Sequence, residues 1–182
     1  MKLAILTSLM IASTLPAFAA ETPKAESQGP NDAQIAHIVV TADMIDVKAG
    51  KLAESKTKNP EVKKFAKQMV TDHTAVNKQA SALAKKLGVT PEDNDVSKSL
   101  MKGADETMAK LKKLKGSEFD KEYVDHEVAY HEAVLSAIDK TLVPSAQNAQ
   151  LKALIVKVRP AFEAHLQHAK HLQTELNSGS KQ

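Results

Sequence analysis

Cysteine and tryptophan are absent from the 182 residues, and arginine occurs once, at Arg159. Without cysteine there is no disulfide, no thiolate ligand and no lipid on a lipobox cysteine, so stability must come from the core alone. Aromatic residues make up 3% of the chain, and beyond the first 19 positions they are Phe65, Phe119, Tyr123, Tyr130 and Phe162. Single-stranded nucleic acid is held on stacked aromatics and phosphate by the arginine fork, so no nucleic-acid partner is expected. The net charge of +3 comes from lysines that alternate with Glu and Asp, which is the texture of a solvated helix surface. Glycine is also scarce, and there is no phosphate-cradling loop, no nucleophile elbow, no strand alternation and no internal repeat.

The only strongly apolar run lies at the start. Residues 1–19 combine Lys2, an apolar stretch from Leu3 to Leu15, the helix breaker Pro16 and the small-x-small site Ala17-Phe18-Ala19. This pattern predicts a secretory signal peptide cleaved before Ala20; as a membrane anchor the run is too short and lacks a basic stop sequence. No later stretch is apolar enough to span a bilayer, so no transmembrane segment is expected after cleavage. The expected location is periplasmic or otherwise extracytoplasmic, as a soluble protein that is not a lipoprotein, with any envelope partner unidentified.

Residues 20–30 are polar, contain Pro23, Gly29 and Pro30, and read as a disordered leader. Beyond it lies one all-helical domain over 31–177, with main helices at about 32–56, 60–87, 117–142 and 147–177 and a flexible tail at 178–182. Asn31 or Asp32 can cap the first helix, and Asn59-Pro60-Glu61 starts the second with a cap, a proline at the first helical position and an acid in the opening turn. Gly88 is the natural left-handed end of that helix. The segment 88–116 carries only a weak apolar stripe (Val96, Leu100, Ala104, Met108, Leu111) interrupted by Gly103, and reads as a partly helical crossover. Ser117 with Asp120 three residues later predicts a cap for the third main helix, and Pro160 predicts a kink or a break in the fourth. Two antiparallel hairpins joined by one long connection imply a four-helix bundle of ferritin-like topology.

Each main helix carries an ionisable residue inside an apolar seam. The second seam runs Val62, Ala66, Met69, His73, Val76, Ala80; the third Val124, Val128, His131, Leu135, Ile138; the fourth Ile155, Val158, Phe162, His165, Ala169, Leu172. All step by four and three, the spacing of one helical face. The first helix allows two tracks, and only that through Ile35, Val39, Ala42, Asp46 and Ala49 contains an acid. Counting at 1.5 Å per residue from a hairpin centre near residue 58 puts Asp46 about 18 Å and His73 about 22 Å out. From a second centre near residue 145, His131 lies roughly 21 Å out, Glu127 roughly 27 Å and His165 roughly 30 Å, so His165 is expected to face Glu127.

Burying such groups costs free energy unless they are paired, and two readings remain open. In one, His73, His131 and His165 are neutral imidazole ligands, with Asp46 or Glu127 adding oxygen, to a divalent zinc, copper, manganese or iron ion. In the other, the groups satisfy one another and set helix register. His168 is either a further ligand or part of a solvated stripe with His171, and Asp72 and His126 either orient a histidine or simply lie on the surface. The methionines suit core filling better than a copper cluster.

Three blocks resemble a known family: Val62 to His73 (VKKFAKQMVTDH), Gly116 to Val124 (GSEFDKEYV) leading to His131, and Pro160 followed by His165, Leu166 and Ala169. Together, over roughly 32–176, they are similar to the bacterial family called domain of unknown function 4142. The resemblance implies an exported protein, often labelled an outer-membrane protein, with a ferritin-like fold and no defined reaction. Di-iron enzymes of that fold use Glu-x-x-His pairs, whereas Val70, Val128 and Phe162 stand three residues before the histidines here. A di-iron oxidase is therefore not expected.

Overall fold

The computed structural model describes residues 29–179. The expected signal peptide, all but Gly29 and Pro30 of the expected leader, and residues 180–182 of the expected tail lie outside the described residues. Among the described residues there are five long helices and no strand: α1 (Asp32–Lys56), α2 (Pro60–Leu87), α3 (Asp95–Lys113), α4 (Gly116–Ala137) and α5 (Ala149–Gly179). A π turn, Ile138–Leu142, and a single α turn, Val143–Ser145, prolong α4.

Local chemistry accounts for most helix ends. Asn31 caps α1 in a reciprocal box with Gln34, while the Asp32 carboxylate accepts from the Gln147 and Asn148 amides and ties α1 to the start of α5. Asn59 accepts from the amides of Glu61 and Val62 at the start of α2, which ends on Gly88 at φ 66°, a left-handed conformation that glycine adopts without a Cβ clash. Asn94 and Ser97 form the box that opens α3. That helix runs through Gly103 without a break and is capped at its far end by Lys56, whose Nζ donates to the carbonyls of Leu111 (2.8 Å) and Lys112 (2.7 Å).

Two expectations need correction. Ser117 does not cap α4: the helix opens at Gly116, with φ 55°, and Lys115 at the cap position makes no side-chain bond. The joint between α3 and α4 is too short for a separate cap, and the positive φ of Gly116 turns the chain instead. Of the kink or break expected at Pro160, the break does not occur, since the last helix is continuous from Ala149 to Gly179. Pro160 and the residue four before it, Val156, are both exposed, so water can satisfy the carbonyl that loses its amide donor.

Adjacent long helices are antiparallel throughout. On α1 and α2, Asn77 donates to the Val40 carbonyl while His73 meets Asp43; on α4 and α5, Arg159 bridges Asp139 while Gln173 reaches Asp125. The α2–α5 pair is joined by Lys86 with Gln150 and His168 with Gln68, and Tyr130 of α4 donates to the Ala42 carbonyl of α1. The ring order is α1–α2–α5–α4, so α2 and α4 run the same way and α3 carries the chain back along the outside.

Two apolar clusters fill the bundle. One holds Phe65, Met69, Leu111, Phe119 and Val124; the other holds Ile35, Ile38, Ile138, Leu142 and Ile155. Between them lies a polar layer of Asp43, Asp46, His73, Glu127, His131 and His165, each between 0% and 3% exposed.

Candidate metal centre

Four helices deliver this layer: α1 brings Asp43 and Asp46, α2 brings His73, α4 brings Glu127 and His131, and α5 brings His165. Each imidazole is anchored through one nitrogen. His73 Nδ1 is 2.9 Å from Asp43 Oδ1, His131 Nδ1 is 2.9 Å from the Glu127 carbonyl oxygen, and His165 Nε2 is 2.9 Å from Asp72 Oδ2. Carboxylate and carbonyl oxygens only accept, so each anchored nitrogen carries the proton. The opposite nitrogens, His73 Nε2, His131 Nε2 and His165 Nδ1, are then lone pairs, and all three are buried with no hydrogen-bond partner. One nitrogen from each histidine lies within 4.8 Å of the other two. The rings crowd together, with centroids 5.6 Å apart for His73 and His131, 5.3 Å for His73 and His165, and 5.5 Å for His131 and His165; Phe162 closes one side, 4.9 Å from His73.

Electrostatics favour the neutral form of two of the rings, His131 and His165. Burial, followed by the neighbouring His73 ring, pushes His131 down to about 3, and burial lowers His165 against the opposing pull of Asp72. A neutral imidazole is the form that binds metal. Burial also raises the carboxyls: Glu127 reaches about 8 despite Tyr123 and Asp46, Asp46 moves well above the usual carboxylate range with Glu127 and Asp43 adding to the effect, and Asp43 rises against the pull of His73. Among the described residues no lysine or arginine forms an ion pair with Asp43, Asp46 or Glu127. Three buried acids beside three inward lone pairs form a pocket of negative potential that a cation would relieve.

The structure groups His73, His131 and His165 together, and groups Asp46 and Glu127 with His131. The expected facing of His165 toward Glu127 is corrected: Glu127 lies toward Asp46, and His165 is level with His131. Helix α4 stays helical through its π turn to Ser145, and Asn148 caps α5 by accepting from the Gln150 and Leu151 amides. His131 and His165 are equidistant in sequence from Asn148, so the turn centre lies beyond residue 145. Asp72 orients His165 rather than its neighbour His73, and His168 packs on Phe65 and Gln68 away from the three rings. His126 lies against Tyr130.

Asp43 and Tyr123 escaped the sequence reading. Asp43 lies beside the chosen α1 track, whereas Tyr123 begins a Tyr-x-x-x-Glu-x-x-x-His run whose steps of four were a legible signal.

The comparison with curated proteins and that with solved structures each returned no match. A family model described as "Domain of unknown function (DUF4142)" matches residues 16–172, which takes in every residue of the polar layer. The chain therefore belongs to the DUF4142 family.

Proposed function

We propose that this chain is an exported, ferritin-like bundle protein that binds a divalent transition-metal ion between His73, His131 and His165, with the acids Asp46 and Glu127 supplying compensating charge. The observation that carries this reading is the set of three buried, inward-facing imidazole nitrogens without partners, each ring anchored from behind by an acceptor. Anchoring of this kind fixes the tautomer and raises the basicity of the free nitrogen. Three imidazoles with carboxylates nearby suit zinc, copper, manganese or iron. The ferritin-like arrangement is supported by the ring order of the long helices and the crossover through α3. Export is supported by the signal-like pattern of residues 1–19, and no helix among the described residues is long and apolar enough to cross a membrane. Apolar Val70, Val128 and Phe162 replace the acids of Glu-x-x-His pairs, which argues against di-iron oxidase chemistry.

Metal analysis of the chain, purified from metal-replete cells without a histidine tag, is expected to find at least about one equivalent bound. His73→Ala and His165→Ala should each lose it while keeping their helical circular dichroism. Substoichiometric metal, with no gain in thermal stability on adding zinc, copper, manganese or iron, would sink this reading and leave a polar core that serves only helix register.

A further inference from the structure

We propose that the oxygen-rich half of the polar layer is a second cation site, formed by Asp46, Glu127 and Tyr123 with His131 as the wall it shares with the histidine site. The inference builds on the metal reading above and adds a separate ion to it. His73 and His165 come from α2 and α5, whereas Asp46 comes from α1, and Tyr123, Glu127 and His131 lie one turn apart along one face of α4. One ligand atom from each of Asp46, Glu127 and His131 lies within 4.8 Å of the other two. Among the described residues, neither carboxylate joins the three histidines at that spacing, and neither His73 nor His165 joins Asp46 and Glu127. The five residues therefore form two groups of three that share His131, and Asp46 Oδ2 also lies 3.6 Å from His73 Nδ1, the nitrogen on the far side of that ring from its free lone pair.

What sets this apart from an ordinary acidic cluster is the number of buried oxygens left over. Both oxygens of Asp46, both of Glu127 and the Tyr123 hydroxyl are buried without hydrogen-bond partners, and Tyr123 itself is 0% exposed. A proton shared between the two carboxyls and a Tyr123 hydroxyl turned to Glu127 would satisfy both Glu127 oxygens and one of Asp46, and leave the other Asp46 oxygen unmatched. Buried polar atoms are seldom left so. A divalent cation binds several oxygens at once, and among the described residues no lysine or arginine forms an ion pair with either carboxyl. Carboxylate and phenol donors favour a harder ion than the all-nitrogen cluster does, so the occupant is an oxygen-preferring divalent cation, for which Mn²⁺ is the probe.

The test is a titration of the chelator-stripped chain with Zn²⁺ alone, Mn²⁺ alone and both together, counting bound metal after gel filtration. The expected result is about two equivalents in total when both ions are present, one for each cluster. Glu127→Gln and Asp46→Asn should lose the manganese, and Tyr123→Phe, which leaves both carboxylates in place, should weaken manganese binding about tenfold and keep the zinc. Saturation at a single equivalent for which the two ions compete would overturn the second site while leaving the metal function intact. Manganese uptake unchanged in Glu127→Gln and Tyr123→Phe would likewise overturn it, and binding of neither ion would remove both proposals. The wild-type count needs no variant to fold.

Discussion

Asp43 and Asp72 perform the same task in different surroundings. Each takes the proton-bearing nitrogen of a histidine, but Asp43 is 1% exposed and Asp72 is 40% exposed. Water can replace the Asp72 carboxylate once it is removed, whereas the space behind His73 is buried, with Asp46 Oδ2 3.6 Å from the same nitrogen. Asp43→Ala is therefore expected to weaken metal binding by about 10- to 100-fold, and Asp72→Ala by distinctly less, as read by competition with a chromogenic chelator. Equal losses would mean that burial of the anchor is irrelevant. At this scale the histidines were legible, because each interrupts a regular apolar seam. Asp43 was not, since α1 buries a face wide enough to take in Asp43 and Asp46 together, and no spacing rule separates them in advance.

Among the helices, the α1–α2 contact sets the site most directly, since it carries Asp43 and Asp46 against His73. Its close approach depends on Gly50: a Cβ there would lie 2.9 Å from Val70 Cγ2 and 3.0 Å from the Ala66 carbonyl oxygen. The carbonyl belongs to the backbone and cannot rotate away, so the helices would have to part. Gly50→Ala should cost about 1–3 kcal/mol in urea denaturation despite the better helix propensity of alanine, and metal affinity should fall with it. A neutral or stabilising effect would show that the pair can separate freely. Capping was legible here, because Asn59, Pro60 and Gly88 act through their own backbone chemistry. The π turn and the uninterrupted course of α5 through Pro160 were not, because both depend on what faces the helix from outside.

For the molecule as a whole, the buried layer ties stability to pH. His131 has a folded pKa near 3 against an ordinary 6.5, so its contribution is complete above 6.5 and is lost as pH falls toward 3. Glu127 is shifted the other way, to about 8 from 4.5, so its contribution is complete below 4.5 and is lost as pH rises toward 8. The two trends oppose each other between 4.5 and 6.5. Urea denaturation of the metal-free chain should therefore change less steeply in that window than above it, where the decline is about 1.4 kcal/mol per pH unit for each raised carboxyl involved. Bound metal, which favours ionised acids, should abolish the alkaline decline; its persistence in the loaded protein would place the ion away from Glu127.

The sequence by itself determined the helical class, several of the caps, the absence of thiol chemistry and the placing of one histidine in each of three apolar seams. These are matters of local periodicity and side-chain chemistry, which a single helix carries wherever it packs. Only the tertiary structure decided which residues share a level, that Asp43 and Asp72 anchor their particular histidines, and that the polar layer divides into a nitrogen cluster and an oxygen cluster meeting at His131. Those outcomes depend on the turn at Asn148, the approach of α1 to α2 at Gly50 and the direction of each imidazole. All three are set between helices, where a shift of one residue changes the partner.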